Sequence, residues 1–306
     1  MRRLAPLLVP LALAACAPEP QGPLAPIAAE QVLAGPALEA SAARDAVVAF
    51  VRAYADSGRV GVGPLSRLVA SDDLLAWVRW LGVQHREFPG TISATVDLRD
   101  VAFVATLETE QVSGAQIALS ATVAFEFDPL DGEPFRRARI LDGPVTVARI
   151  APGEFRVADL LRDGVPMSDG IHRFRGESRT DGWVTVTLDS LFTFPPNWQF
   201  NVIVENRGDR EVHLDPEGVA LLVRRDGSFE AIEGATTASL SVIPAGATVD
   251  GILAYPAQQE AVGRVLSLVY LEGRTARRFE FPLDDLVTVV PPPPPAGEAP
   301  PTGIDG

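Results

Sequence analysis

Cys16 is the one cysteine in a chain of 306 residues, so no internal disulfide can form and the chemistry open to it is modification of its sulfur. It closes the run Leu13-Ala14-Ala15-Cys16. Met1-Arg2-Arg3 and an apolar stretch from Leu4 to Ala15 precede it. That is a positive n-region, a short h-region and small residues before a cleavage point. A membrane-spanning helix would need about 20 apolar residues. The stretch is shorter, and Pro6 and Pro10 sit inside it, each costing about 3 kcal/mol in a helix interior. Elsewhere the reactive side chains are sparse. His85, His172 and His213 have no histidine or cysteine partner at zinc-ligand spacing, so no metal is expected. No Gly-x-Ser-x-Gly, His-Glu-x-x-His or Walker loop occurs, and no catalytic residue is assigned. Asp128-Pro-Leu-Asp-Gly-Glu133 lacks the alternating ligand spacing of a calcium loop and reads as a turn. Asp284-Asp285 reads as a solvated strand end.

The run ending at Cys16 resembles the lipobox of bacterial lipoproteins. The resemblance implies cleavage after residue 15 and diacylation of Cys16, leaving a lipid anchor on the mature N-terminus. Two acyl chains give stable attachment where one is marginal. Ala17 follows the cysteine, where an Asp would resemble an inner-membrane retention signal. The expected location is therefore the cell membrane or outer membrane, lipid-anchored and extracytoplasmic.

Formal charge is −14, and −16 once Arg2 and Arg3 leave with the leader. Such a chain repels nucleic acid and anionic headgroups, which excludes nucleic-acid partners. Every cationic residue is arginine and asparagine occurs only at 197, 201 and 206, a pattern expected of a GC-rich genome. Residues 16–40 are rich in Pro and Ala and read as a tether. Residues 287–306 carry five consecutive prolines and read as a tail without a core.

Between these ends the patterning changes once. Ala43, Val47, Phe50, Val51 and Tyr54 share one helical face. A second helix starts at Ser71, with Asp72 and Asp73 in its first turn and Leu74, Trp77, Val78 and Leu81 as its stripe. It ends either at Gly82 or one turn later, before Pro89. Period two then takes over at Val101, Phe103, Ala105 and Leu107, and more strictly from Ile117 to Phe127. Ser113-Gly114 signals a hairpin between them. A strand near Val145 to Ile150 turns at Pro152-Gly153 into Phe155-Arg-Val-Ala-Asp159. Residues 41–167 thus read as helices followed by a curved antiparallel sheet. That order, with Gly143-Pro-Val-Thr-Val-Ala-Arg149 and Phe155 to Gly164, resembles the NTF2-like cone fold, which implies helices over a bent sheet around a pocket that Trp77, Trp80, His85 and Asp97 could approach.

Residues 168–180 are polar without period and read as a linker. Residues 181–286 carry about seven strands with turn signals at Pro195-Pro196-Asn197 and Asn206-Arg207-Gly208-Asp209, the count of a small β-sandwich. Trp183 to Asp189, Phe200 to Asn206, Ile243 to Pro256, Leu266 to Tyr270 and Phe279 to Leu283 resemble the telokin-like immunoglobulin-fold domain of bacterial lipoproteins. That family supplies no catalytic residues. The fold class expected is α+β followed by all-β. The function expected is a non-enzymatic, membrane-anchored envelope lipoprotein that binds an envelope protein or component and needs no cofactor. The alternative is a carrier of a small apolar ligand in the cone pocket, and a third reading is an enzyme there. A large pocket lined by convergent polar groups favours the enzyme, a dry apolar one the carrier and a filled cone the adaptor.

Overall fold

A computed structural model describes residues 29–108, 113–162, 164–194, 196–258 and 262–284. Cys16, the leader and the proline-rich tail lie outside the described residues. The described residues from Leu38 onward belong to one compact unit. Among them no helix is long and apolar enough to cross a membrane.

The first half is α+β. Helix α1 covers Ala29–Val60, α2 Gly63–Ser66 and α3 Asp72–Glu87. Helix α1 begins inside the stretch expected to be a tether. Its expected apolar face is the buried one, with Ala43, Val47, Phe50, Val51 and Tyr54 in the core. Ser71 caps α3: its Oγ accepts from the Leu74 amide at 3.2 Å and donates to the Ala158 carbonyl at 2.6 Å. One hydroxyl thus starts the helix and pins it to the sheet. Gly82 does not end α3, which runs on until Pro89 forces extended backbone at Phe88.

Five antiparallel strands follow in spatial order: β1 (Gly90–Glu108), β2 (Ser113–Pro129), β3 (Phe135–Ala151), β4 (Glu154–Arg162) and β5 (Val165–Pro166). On β2 the expected alternation holds: Ile117, Leu119, Ala121, Val123 and Phe125 are buried. On β1 only Val101 of the expected inward set is buried, and Phe103 is 38 % exposed. The register slips between Leu98 and Asp100 and again between Phe103 and Ala105, so one parity cannot hold along the strand. Gly114 lies within β2, not in a turn. A Cβ there would stand 1.9 Å from the Val147 carbonyl oxygen, so the close approach of two backbones requires glycine.

The second half is all β, in two six-stranded sheets. The remaining strands are β6 (Ile171–Arg173), β7 (Ser178–Asp181), β8 (Val184–Phe192), β9 (Asn197–Asn206), β10 (Val212–Leu214), β11 (Ala220–Arg225), β12 (Ser228–Ile232), β13 (Ala235–Thr236), β14 (Val242–Ile243), β15 (Thr248–Pro256), β16 (Val262–Glu272) and β17 (Thr275–Pro282). One sheet runs β13-β15-β9-β8-β6 with β7 also on β8; the other runs β12-β11-β16-β10-β14 with β17 on β16. Val186, Leu188, Phe200, Val202, Val204, Leu266, Leu268, Tyr270 and Phe281 are fully buried in the core of this half.

Residues 168–180 depart from the linker reading. They hold β6 and β7, both paired to β8, and Ile171 is buried. Strands of three or four residues are too short to display a period, which is why the stretch reads as structureless. Ile171 and Phe192 belong to the same core cluster as the helices, and Trp80 of α3 contacts Phe192 at 5.4 Å between ring centres. The two halves therefore share packing at this end of β8.

Candidate functional site

The inward parity of β3 runs through its odd-numbered residues. Val147 and Val145 are buried at one end, and Leu141, Arg139, Arg137 and Phe135 continue the same face at the other. Across the ladder Arg139 pairs with Val123, Arg137 with Phe125 and Phe135 with Phe127. The helices cover only part of this face. Beyond them it opens into a cleft of about 450 Å³ bounded by α1, α3 and β2 to β4, within the range of small-molecule sites.

Aromatic rings make its floor. Trp77 lies 5.2 Å from Tyr54, and Tyr54 lies 5.1 Å from Phe125 edge-on. Phe127 and Phe135 stack at 4.9 Å with ring planes 8° apart, and Phe88 meets Phe127 edge-on at 5.2 Å. The Arg137 guanidinium stands over Phe135 at 5.2 Å and over Phe127 at 5.9 Å. Arg139 and Arg162 complete one wall. Arg162 also stands 4.3 Å over Phe194. Burial pushes the Tyr54 phenol up, against the pull of Arg139 and Arg162, so the field of both guanidinia reaches the same hydroxyl. No Asp or Glu lines the cleft among the described residues.

Three of the four expected pocket residues meet here. Trp77 is buried in the floor. Trp80 lines the edge and donates Nε1–H to Gln199 Oε1 of β9 at 2.8 Å. His85 lines the cleft with Nδ1 buried and without a hydrogen-bond partner. Burial pushes its pKa down, opposed by a hydrogen bond with the Ser57 backbone, so the ring is neutral at pH 7. Asp97 is not in the site. On β1 the inward residues beside it are Ile92, Ala94, Val96 and Leu98, and Asp97 has the opposite parity. Its side chain is 72 % exposed, 3.9 Å from Arg99. The imidazole therefore has no carboxylate partner in the cleft among the described residues.

Arg137 and Arg139 are site residues that sequence reasoning does not reach, because the strand reads only from about Val145 onward and leaves them without a parity. Asp284 stays exposed just past the last strand, as expected, and is also held in place. It accepts from the Arg264 backbone and Nε at 3.1 and 3.0 Å. Burial raises its pKa, but these bonds and the Arg264 charge outweigh burial and hold it low.

Two further hollows flank α3. One of about 420 Å³ is bounded by Ser57, Gly58, Arg79, His85, Arg86 and Asp250. Another of about 280 Å³ is polar, lined by Asp72, Asp73, His172, Arg173 and Arg175. Neither has an aromatic floor. Among the described residues no three His, Cys, Asp or Glu side chains gather as a metal site would require. No protein-family model matches the chain, and no curated protein matches it significantly.

Proposed function

We propose that this protein is a membrane-anchored envelope lipoprotein that holds a small apolar ligand in the cleft of its α+β half, without catalysis. The observation that carries the reading is the open cleft of about 450 Å³ with its continuous aromatic floor. A filled cone would have favoured a pure adaptor; the aromatic floor of the open cleft favours a carrier, and its polar groups lack the acid–base pair an enzyme would need among the described residues. The element order of helices over an antiparallel sheet supports an NTF2-like cone, and the paired sheets after it support a telokin-like sandwich. The lipobox-like run at Cys16 supports the anchor. The sandwich would then brace the cleft through Gln199, which receives the Trp80 indole proton.

Two experiments test this. Mass spectrometry of organic extracts from the purified protein should find a small apolar compound that is lost from a Gln84→Trp variant, whose indole would crowd the cleft mouth. Identical extracts from both proteins would remove the carrier reading. Metabolic labelling with a fatty-acid probe should mark wild type and not Cys16→Ser; equal labelling would remove the anchor.

A further inference from the structure

We propose that the ligand of this cleft is anionic, an apolar body ending in a carboxylate or phosphate, and that Arg137 and Arg139 receive its head. The inference rests on the reading of the cleft as a ligand site and adds the ligand's charge.

The first ground is position. Arg137 and Arg139 occupy consecutive inward places on β3, opposite Phe125 and Val123. Those places call for apolar residues if the sheet only builds a core. Both arginines are exposed, because the cleft is open there, so these inward places face solvent within the cleft and not a packed core.

The second ground is partners. Outward-facing arginines of the same sheet are matched: Arg136 meets Glu126 at 3.0 Å and Arg99 meets Asp142 at 3.3 Å. Arg137 and Arg139 have no carboxylate within ion-pair distance among the described residues. This is notable in a chain with 40 acidic against 26 basic residues, where a carboxylate is the commonest charged neighbour available. The cleft is thus a positive site inside a negative protein. An amine would be repelled there and a neutral head would leave the guanidinia without a counter-charge.

The third ground is arrangement. The aromatic floor offers an apolar body its surface. The Arg137 guanidinium carbon stands over Phe127 and Phe135, and a guanidinium there can offer paired N–H groups to a bidentate acceptor. Arg139 lines the same cleft as Arg137, two residues along the strand.

Arginines can also cover apolar surface with their stems while the heads stay in water. In that case they would not discriminate between heads of different charge, which gives the test. The full chain carrying Cys16→Ser, which needs no detergent, is titrated calorimetrically with four probes sharing one body: 6-phenylhexanoate, 6-phenylhexyl phosphate, 6-phenylhexan-1-ol and 6-phenylhexylamine. At least one anion should bind about tenfold or more tighter than the alcohol, as expected of charge-assisted hydrogen bonds. The amine should bind weakest. Ranking the two anions identifies the head. The preference should collapse in Arg137→Gln/Arg139→Gln, with the melting temperature as a control for folding and the alcohol affinity little changed. If the alcohol binds as tightly as both anions, or if the preference survives the double substitution, the anionic assignment is wrong while the cleft stands. If no probe binds, the carrier reading fails with it.

Discussion

The two β regions of this protein are built from the same alternating pattern and end differently. In the sandwich, two sheets face each other, and inward residues such as Val202, Val204, Leu268 and Phe281 lose all contact with water. In the α+β half, one sheet is covered by helices over only part of its inward face. Its inward face is sealed at Val145, Val147 and Ile117 and left open at Arg137 and Phe135. A second sheet covers every inward position, whereas a helix covers only its own length. The uncovered remainder is where a ligand can be held, and there the sequence changes from aliphatic to aromatic and arginine.

The sharpest way to break this contrast is to place the same polar group in both regions. Val202→Asn should cost about 3–5 kcal/mol, because it strands an unsatisfied amide in a dry core. Phe125→Asn should cost less, about 2–3 kcal/mol, because its amide can reach water through the cleft. Denaturant unfolding of both variants checks the order. Equal costs would mean that the cleft is as closed as the sandwich core.

The next effect concerns how the cleft's roof is fixed. Ser71→Ala removes both the α3 cap and the bond to Ala158, and should destabilise the protein by about 1–2 kcal/mol. An unchanged unfolding midpoint would show that α3 is held by packing alone.

These devices differ in how plainly the sequence displays them. Ser71-Asp72-Asp73 followed by Leu74, Trp77, Val78 and Leu81 is a complete helix signal, and the strict alternation from Ile117 to Phe125 is a complete strand signal. Asp142-Gly143-Pro144 hides the length of β3, because a Gly-Pro step reads as a break. In the structure Gly143 adopts φ 129 and the strand continues through Pro144, which pairs with Ala118. With the strand cut there, Arg137 and Arg139 have no parity and their inward position is invisible. Asp97 was misplaced for a related reason: its parity is set by Ile92 to Leu98, upstream of the alternation at Val101 from which the strand was read. The short strands β6 and β7 carry no readable period at all.

A smaller effect separates the half-buried imidazole of the cleft from solvated groups. Burial lowers the His85 pKa, so its contribution to stability is present above its unfolded value of about 6.5 and is lost as pH falls from there. Melting temperature should drop between about pH 7 and pH 5 more steeply in wild type than in His85→Gln. Parallel pH profiles would place His85 in water. The smallest effect is expected where the halves meet at the surface. Arg86→Ala removes an ion pair to Asp250 at 2.8 Å between side chains that are 52 % and 41 % exposed. It should cost under about 1 kcal/mol, readable as a small shift in unfolding midpoint. A larger loss would mean that the α3–β15 contact, and not the Ile171–Phe192 packing, holds the halves together.

The central claim is that the open end of the first sheet is a ligand site, and titration with a neutral apolar fluorophore tests it most directly. N-phenyl-1-naphthylamine added to the full Cys16→Ser chain should brighten saturably, with energy transfer from Trp77 and Trp80, and the signal should be lost in Gln84→Trp. Non-saturating fluorescence, or equal binding by the Gln84→Trp variant, would contradict the account.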